Sequence, residues 1–136
     1  MAFVLDASVT AAWILPDEAN AFAALIQSRL TSDPAIVPFI WRYEMRNLLV
    51  MAERRGRLTA AASDAALGIL ARFPISVDAS ADEASMMAIA RRRGLTIYDS
   101  AYLELAARTA SPLATLDRRL REAAEAEGVE TMHAKG

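Results

Sequence analysis

Three apolar segments of this sequence each close on an aspartate: FVLD at residues 3–6, TIYD at 96–99 and ATLD at 114–117. A carboxylate beside apolar residues is costly to bury unless it is paired or hydrogen-bonded. Two readings compete. Aspartate is a favoured helix N-cap, and Asp6, Asp99 and Asp117 each precede a helical stretch, so capping alone would account for any one of them. Alternatively, the three segments are neighbouring parallel strands whose carboxylates converge on one edge of a sheet. Close carboxylates repel and take up protons, and a divalent cation relieves that repulsion. Hard oxygen donors suit magnesium or manganese, and magnesium keeps several waters and takes few protein carboxylates. Glu44 sits beside an apolar helical stripe and can reach the same place; pattern alone leaves it open between site residue and helix-surface residue.

Smaller groups surround these acids. Thr115, two residues before Asp117, shares a strand face with it, which offers its hydroxyl to a carboxylate or to a water held there. Ser8 has the same options, and for both a local backbone hydrogen bond is an equally good account. Asn47, close to one turn on from Glu44, is placed to bond substrate or to hold Glu44. Arg42 and Arg46 flank Glu44, and Arg118 and Arg119 follow Asp117. Their guanidinium forks suit phosphate; the competing reading is solvated helix faces and helix C-termini. Tyr98 and Tyr102 bracket Asp99, and a ring packed in the core is commoner than one stacked on a base. Trp13 and Trp41 read as core or subunit contacts.

The elements that must position these residues alternate between short strands and helices. AFVL reads as a buried strand, and SVTAAWIL as a helix stopped by Pro16. Residues 18–31 form a second helical stretch, with Ala21, Ala24, Leu25 and Ile26 on its apolar side. A strand lies in DPAIVP. A long helix over 40–55 carries the stripe Trp41, Met45, Leu48, Leu49 and Ala52 and stops at Gly56. Thr59 caps a helix over 60–72, and FPISVD is a strand. Ser80 and Glu83 form a capping box for a helix ending at Gly94. LTIY reads as a strand, SAYLELAARTA as a helix, PLATL as a strand, RRLREAAEAEG as a helix and VETM as a last strand. This alternation predicts a short, mostly parallel sheet with helices on both faces, in one domain over 1–136. Ligands of such sheets bind beyond the carboxyl ends of the strands.

Composition narrows the options. The chain has 136 residues, 54% hydrophobic and 24% charged, a globular balance. It has no cysteine, which excludes disulfides and thiolate metal sites. Its one histidine, His133, lies in the last residues, so a mechanism built on a central histidine has little to use. A net charge of −2 argues against broad coating of nucleic acid, although the positive charge is almost all arginine and clustered. No apolar stretch approaches the roughly 18 residues of a membrane span, and no basic segment precedes the N-terminal apolar run. The expectation is a cytoplasmic protein.

Four segments in order then carry a resemblance: VLDASVTAAWILPDE, VPFIWRYEMRNLL, GLTIYDSAYLELA and PLATLDRRL. Together they resemble PIN-domain ribonucleases, and among them the VapC-type toxins of bacterial toxin–antitoxin pairs, over nearly the whole chain. The resemblance implies a three-layer α/β/α fold and an acidic quartet at Asp6, Glu44, Asp99 and Asp117, with Asp6 and Asp99 the firmest magnesium ligands. It implies metal-dependent cleavage of RNA. It also implies a VapB-like antitoxin, and a homodimer that becomes a heterotetramer or larger with it. The groove for the antitoxin and the dimer contact are expected on the helices of residues 7–31 and 40–55. A nuclease of RNA processing and a non-catalytic PIN-like scaffold are the alternatives. DASVT also superficially resembles the start of haloacid-dehalogenase-like phosphatases, but Ser8 stands where their second acid belongs and no lysine suits their chemistry.

Overall fold

The computed structural model describes residues 1–132, so His133 and Lys135 lie outside the described residues. Four strands form one parallel sheet: β1 (Phe3–Leu5), β2 (Ala35–Pro38), β3 (Ile75–Asp78) and β4 (Leu113–Ala114), in the order β3-β2-β1-β4. Between them run α1 (Ala7–Ile14), α2 (Ala21–Arg29), α3 (Ile40–Arg54), α4 (Ala60–Leu70), α5 (Glu83–Arg93) and α6 (Ile97–Thr109), with α7 (Arg118–Ala126) after β4. Right-handed crossovers put α1–α4 on one face. The chain then returns past β1 to β4, which puts α5 and α6 on the other. This is the three-layer α/β/α arrangement. The core follows from β1, whose Phe3, Val4 and Leu5 are all buried, as a strand covered on both faces requires.

The order of strands decides the site. β1 and β4 are neighbours, paired Val4 to Leu113 and Leu5 to Ala114. Continuing that register sets Asp6 level with Thr115, and the Asp6 amide donates to the Ala114 carbonyl at 3.0 Å. On α3, Trp41, Met45, Leu49 and Ala52 are buried, with Leu48 and Glu44 half-buried at the edge of that stripe. Trp41 Nε1 donates to Thr10 Oγ1 at 3.0 Å, and the Thr10 hydroxyl turns back to the Ala7 carbonyl at 3.1 Å. This clasp fixes α1 against α3. Trp13 donates to the Ala23 carbonyl at 2.6 Å and meets Phe73 edge-on, so both tryptophans tie helices together.

Several expected elements differ. LTIY is not a strand: Thr96 accepts from the Asp99 amide at 3.1 Å, and α6 begins at Ile97. A threonine followed three residues later by an acid is a helix-start pattern, and it wins over the β-branched content of the segment. Asp82, not Ser80, caps α5 and accepts from Ser85. Ser80 is captured by Asp78, whose Oδ1 accepts both its amide and its hydroxyl in a turn closing β3. α2 buries Ala23, Ile26 and Leu30, while Ala21, Ala24 and Leu25 face outward; Pro16 starts a short 3-10 turn that resets the helical phase. In PLATL only Leu113 and Ala114 are strand, and in VETM a single bridge joins Thr131 to Leu113.

α6 ends on Ala110, exposed and left-handed at φ 52. A Cβ there is strained, and glycine removes the strain at the cost of a looser unfolded chain. Ala110→Gly is expected to raise stability by roughly 0.5 kcal/mol. Equilibrium denaturation in urea checks this.

Candidate active site

Asp6 sits at the N-cap of α1, yet its side chain makes no capping bond. It is 6% exposed, and its Oδ2 accepts from Ser8 Oγ at 2.6 Å and from Thr115 Oγ1 at 2.8 Å. Each hydroxyl has one proton to give, and the surroundings direct it. The Leu116 amide donates to Ser8 Oγ at 2.9 Å, and the Asp117 amide to Thr115 Oγ1 at 3.0 Å. Both hydroxyls are thereby left to donate to Asp6. Both hydroxyls hold the carboxylate through Oδ2, and neither donates to Oδ1.

Asp117 is held in a different way. It lies three residues past β4 and caps α7, its Oδ1 accepting from the Arg119 and Leu120 amides at 2.9 and 3.2 Å. Capping thus describes Asp117 and does not describe Asp6. Asp99 is in the first turn of α6, half-buried, rather than at a strand end. Glu44 accepts from the Tyr102 hydroxyl at 2.5 Å. Tyr102 itself has no exposed surface. Sequence reasoning missed that contact. The available signal was the three-residue spacing from Asp99 to Tyr102, which puts both on one face of a helix.

The charges of the four acids act on one another. Burial pushes the Asp6 carboxyl above the ordinary range, against the pull of Ser8 and Thr115, and the charge of Asp117 adds to the rise. Glu44 is raised by burial and by Asp6 and Asp99, against the Tyr102 hydrogen bond. Asp99 is raised by burial, then by Asp6 and Asp117, and Arg119 partly offsets this. Tyr102 is raised by burial and by Asp6 and Glu44, so its hydroxyl keeps its proton. Among the described residues none of the four acids forms a direct ion pair. No three of them are drawn together tightly enough to clasp an ion as they stand. An all-oxygen donor set that raises its own protonation suits a hard divalent cation, and magnesium needs few direct carboxylates.

A groove of about 610 Å³ opens beside the acids, between α1 and α3, lined by Ser8, Ala11, Glu44, Asn47, Met51 and Arg55 among others. Asn47 therefore shares this opening with Glu44. Arg42 and Arg46 do not: they line a separate hollow with Leu67 and Phe73 on another side of α3. Two residues from Glu44 is about 200° around a helix, which turns them away. Arg118 is exposed and paired with Glu122. Arg119 donates to the Gly94 carbonyl at 2.6 Å, and its charge is felt at Asp99. Tyr98 is exposed beside Phe39 and Ile97 at a hollow past the ends of β2 and β3.

The PIN domain family pattern matches residues 3–126. The chain belongs to the PIN domain family. This PIN chain is 34% identical over 129 residues to Ribonuclease VapC3 of Pyrobaculum aerophilum, covering 90% of this chain and 94% of that one. Its fold is similar to the crystal structure of PAE2754 from the same organism, with a TM-score of 0.75 at 24% identity, over 96% of this chain and 89% of the other. It is also similar to VapBC2 from Rickettsia felis bound to a DNA fragment from their promoter, with a TM-score of 0.70 at 9% identity over 97% and 98% of the chains. FitAcB from Neisseria gonorrhoeae gives a TM-score of 0.66 at 17% identity over 98% of each. Among the described residues of this PIN chain no helix is long and apolar enough to cross a membrane.

Asp6→Asn tests the electrostatic account in the metal-free protein. Asparagine Oδ1 can accept both hydroxyls, so the substitution removes charge and keeps the bonds. A carboxyl raised in the folded state stabilises fully below its unfolded value and loses that contribution as pH rises through its folded value. In EDTA, Asp6→Asn is therefore expected to melt higher than wild type at pH 7. The gap should shrink as pH falls toward the ordinary carboxylate range. Thermal unfolding across pH measures it.

Proposed function

We propose that this chain is a metal-dependent ribonuclease acting as the toxin of a VapBC-type toxin–antitoxin pair. The observation that carries the reading is Asp6, buried just past the carboxyl end of β1 and held by two hydroxyls, with Glu44, Asp99 and Asp117 near enough for their charges to interact with it. The similarity to a protein named as a VapC ribonuclease over 90% of the chain supports it. A divalent cation, magnesium or manganese, supplies when bound the charge that activates water and clamps a phosphate.

The chain's own residues divide the remaining work. Asp6 and Asp99 hold the cation, and Asp117 completes the set through the oxygen that capping leaves over. Glu44 holds a second ion or orients the attacking water. Ser8 and Thr115 fix Asp6 and reach no substrate themselves. Arg119, at the rim beside Asp99, meets the phosphate that an acidic site would otherwise repel. Asn47 contacts the strand in the groove. Arg42, Arg46 and Arg118 stay out of the reaction.

The groove between α1 and α3, whose walls mix apolar residues such as Ala11 and Met51 with Glu44 and Arg55, takes a segment of a VapB-like antitoxin. Relatives named as VapBC2 and FitAcB support a partner of that kind. The chain also pairs with a second copy of itself.

Cleavage of a structured RNA pool by purified protein tests the activity. Wild type is expected to cut with magnesium or manganese and not with EDTA. Asp6→Asn and Asp99→Asn should each lose at least about 100-fold, more than outer partners of a metal site typically cost. Equal cutting by wild type and both variants would contradict the site. Metal binding without cutting of any RNA would favour the non-catalytic scaffold. Cutting with no antitoxin encoded beside the chain would favour RNA processing.

A further inference from the structure

We propose that Tyr102 is a positioning residue for Glu44, one buried hydroxyl that holds the fourth acid facing the other three; this rests on the nuclease reading above. The Tyr102 hydroxyl donates to Glu44 Oε1 at 2.5 Å. Among the described residues Glu44 Oε2 accepts no hydrogen bond. Asp6 and Asp117 are held in a comparable way: two hydroxyls grip Asp6 Oδ2, with the Ser8 amide a further polar neighbour of that carboxylate, and two amides grip Asp117 Oδ1. One oxygen anchored and one left over is what a carboxylate needs in order to serve a cation or a water in a fixed direction.

The placement of Tyr102 makes it more than a satisfied core phenol. Its ring is fully buried, so the hydroxyl has no freedom to follow a moving partner. It stands one turn after Asp99 on α6, and the backbone amide of Ala7, next in the chain to Asp6, is a polar neighbour of its oxygen. The phenol therefore joins the segments that carry Asp6, Glu44 and Asp99. Glu44 comes from a separate helix on a flexible arm, and the like charges of Asp6 and Asp99 push it outward. Without Tyr102 nothing else among the described residues donates to it.

Tyr102→Phe keeps the ring and removes only this contact. Calorimetric titration of the full-length, metal-free protein with manganese reads the effect without any turnover. Tyr102→Phe is expected to lose about 10- to 100-fold in manganese affinity, as outer partners of metal sites do. Glu44→Gln should lose at least as much, and the double variant no more than Glu44→Gln alone. On RNA, kcat should fall for Tyr102→Phe with KM unchanged. An unchanged manganese affinity together with an unchanged kcat, or a full further loss in the double variant, would overturn the proposal.

A second measurement leaves Tyr102 in place. In wild-type protein its hydroxyl proton should give a slowly exchanging, downfield NMR resonance that Glu44→Ala removes; a resonance indifferent to Glu44 also overturns it. If wild type neither cuts RNA nor binds manganese through Asp6, the nuclease reading falls and takes this inference with it. A silent Tyr102→Phe in an enzyme that Asp6→Asn disables overturns the inference alone.

Discussion

The structure depends on a carboxylate kept at the edge of its own core. Asp6 follows three buried residues of β1 and is almost as buried as they are. Its charge has no cationic partner among the described residues and has acids as neighbours. Two hydroxyls hold it, and both are aimed by amides of the segment after β4. That arrangement exists only if β1 and β4 are adjacent and in register. Strand order, the length of β4 and the turn into α7 therefore answer to the same few atoms. A fold built for stability alone would place a neutral residue there, since a half-compensated buried charge weakens the folded state. On the proposed reading, a bound cation offsets that cost.

Around that point the helices act as adjustable brackets. The clasp of Trp41 on Thr10 sets α3 against α1 and so brings Glu44 to the opening. Thr96 starts α6 early enough for Asp99 to fall in its first turn, with Tyr102 one turn deeper. Arg119 ties the start of α7 to the Gly94 carbonyl at the end of α5, which keeps a cation near Asp99. The four acids come from four different elements, and the charges of Glu44, Asp99 and Asp117 each interact with that of Asp6. No local stretch of chain could bring them together.

Much of this was legible in the sequence, for identifiable reasons. Apolar runs ending on Asp6 and Asp117 marked the carboxyl end of the sheet, and the period of Trp41, Met45 and Leu49 gave α3 and the edge position of Glu44. For Thr115 and Ser8 a carboxylate partner was one of the options left open, and both donate to Asp6. Asp99 was assigned to a strand end and lies instead in the first turn of α6, where its charge still interacts with that of Asp6. TIY is β-branched and aromatic, and the cap at Thr96 overrode that propensity. Arg42 and Arg46 are neighbours of Glu44 in sequence but not in space, a difference that helical phase encodes. The Tyr102 contact was hidden because it joins two helices 58 positions apart, and nothing local in either segment specifies such a pairing.

Whether these acids form one cation site is decided by anomalous diffraction from crystals soaked in manganese. A peak is expected within coordination distance of Asp6 and Asp99, with waters completing the shell. No peak there, or one bound only by acids elsewhere on the surface, would contradict a shared site.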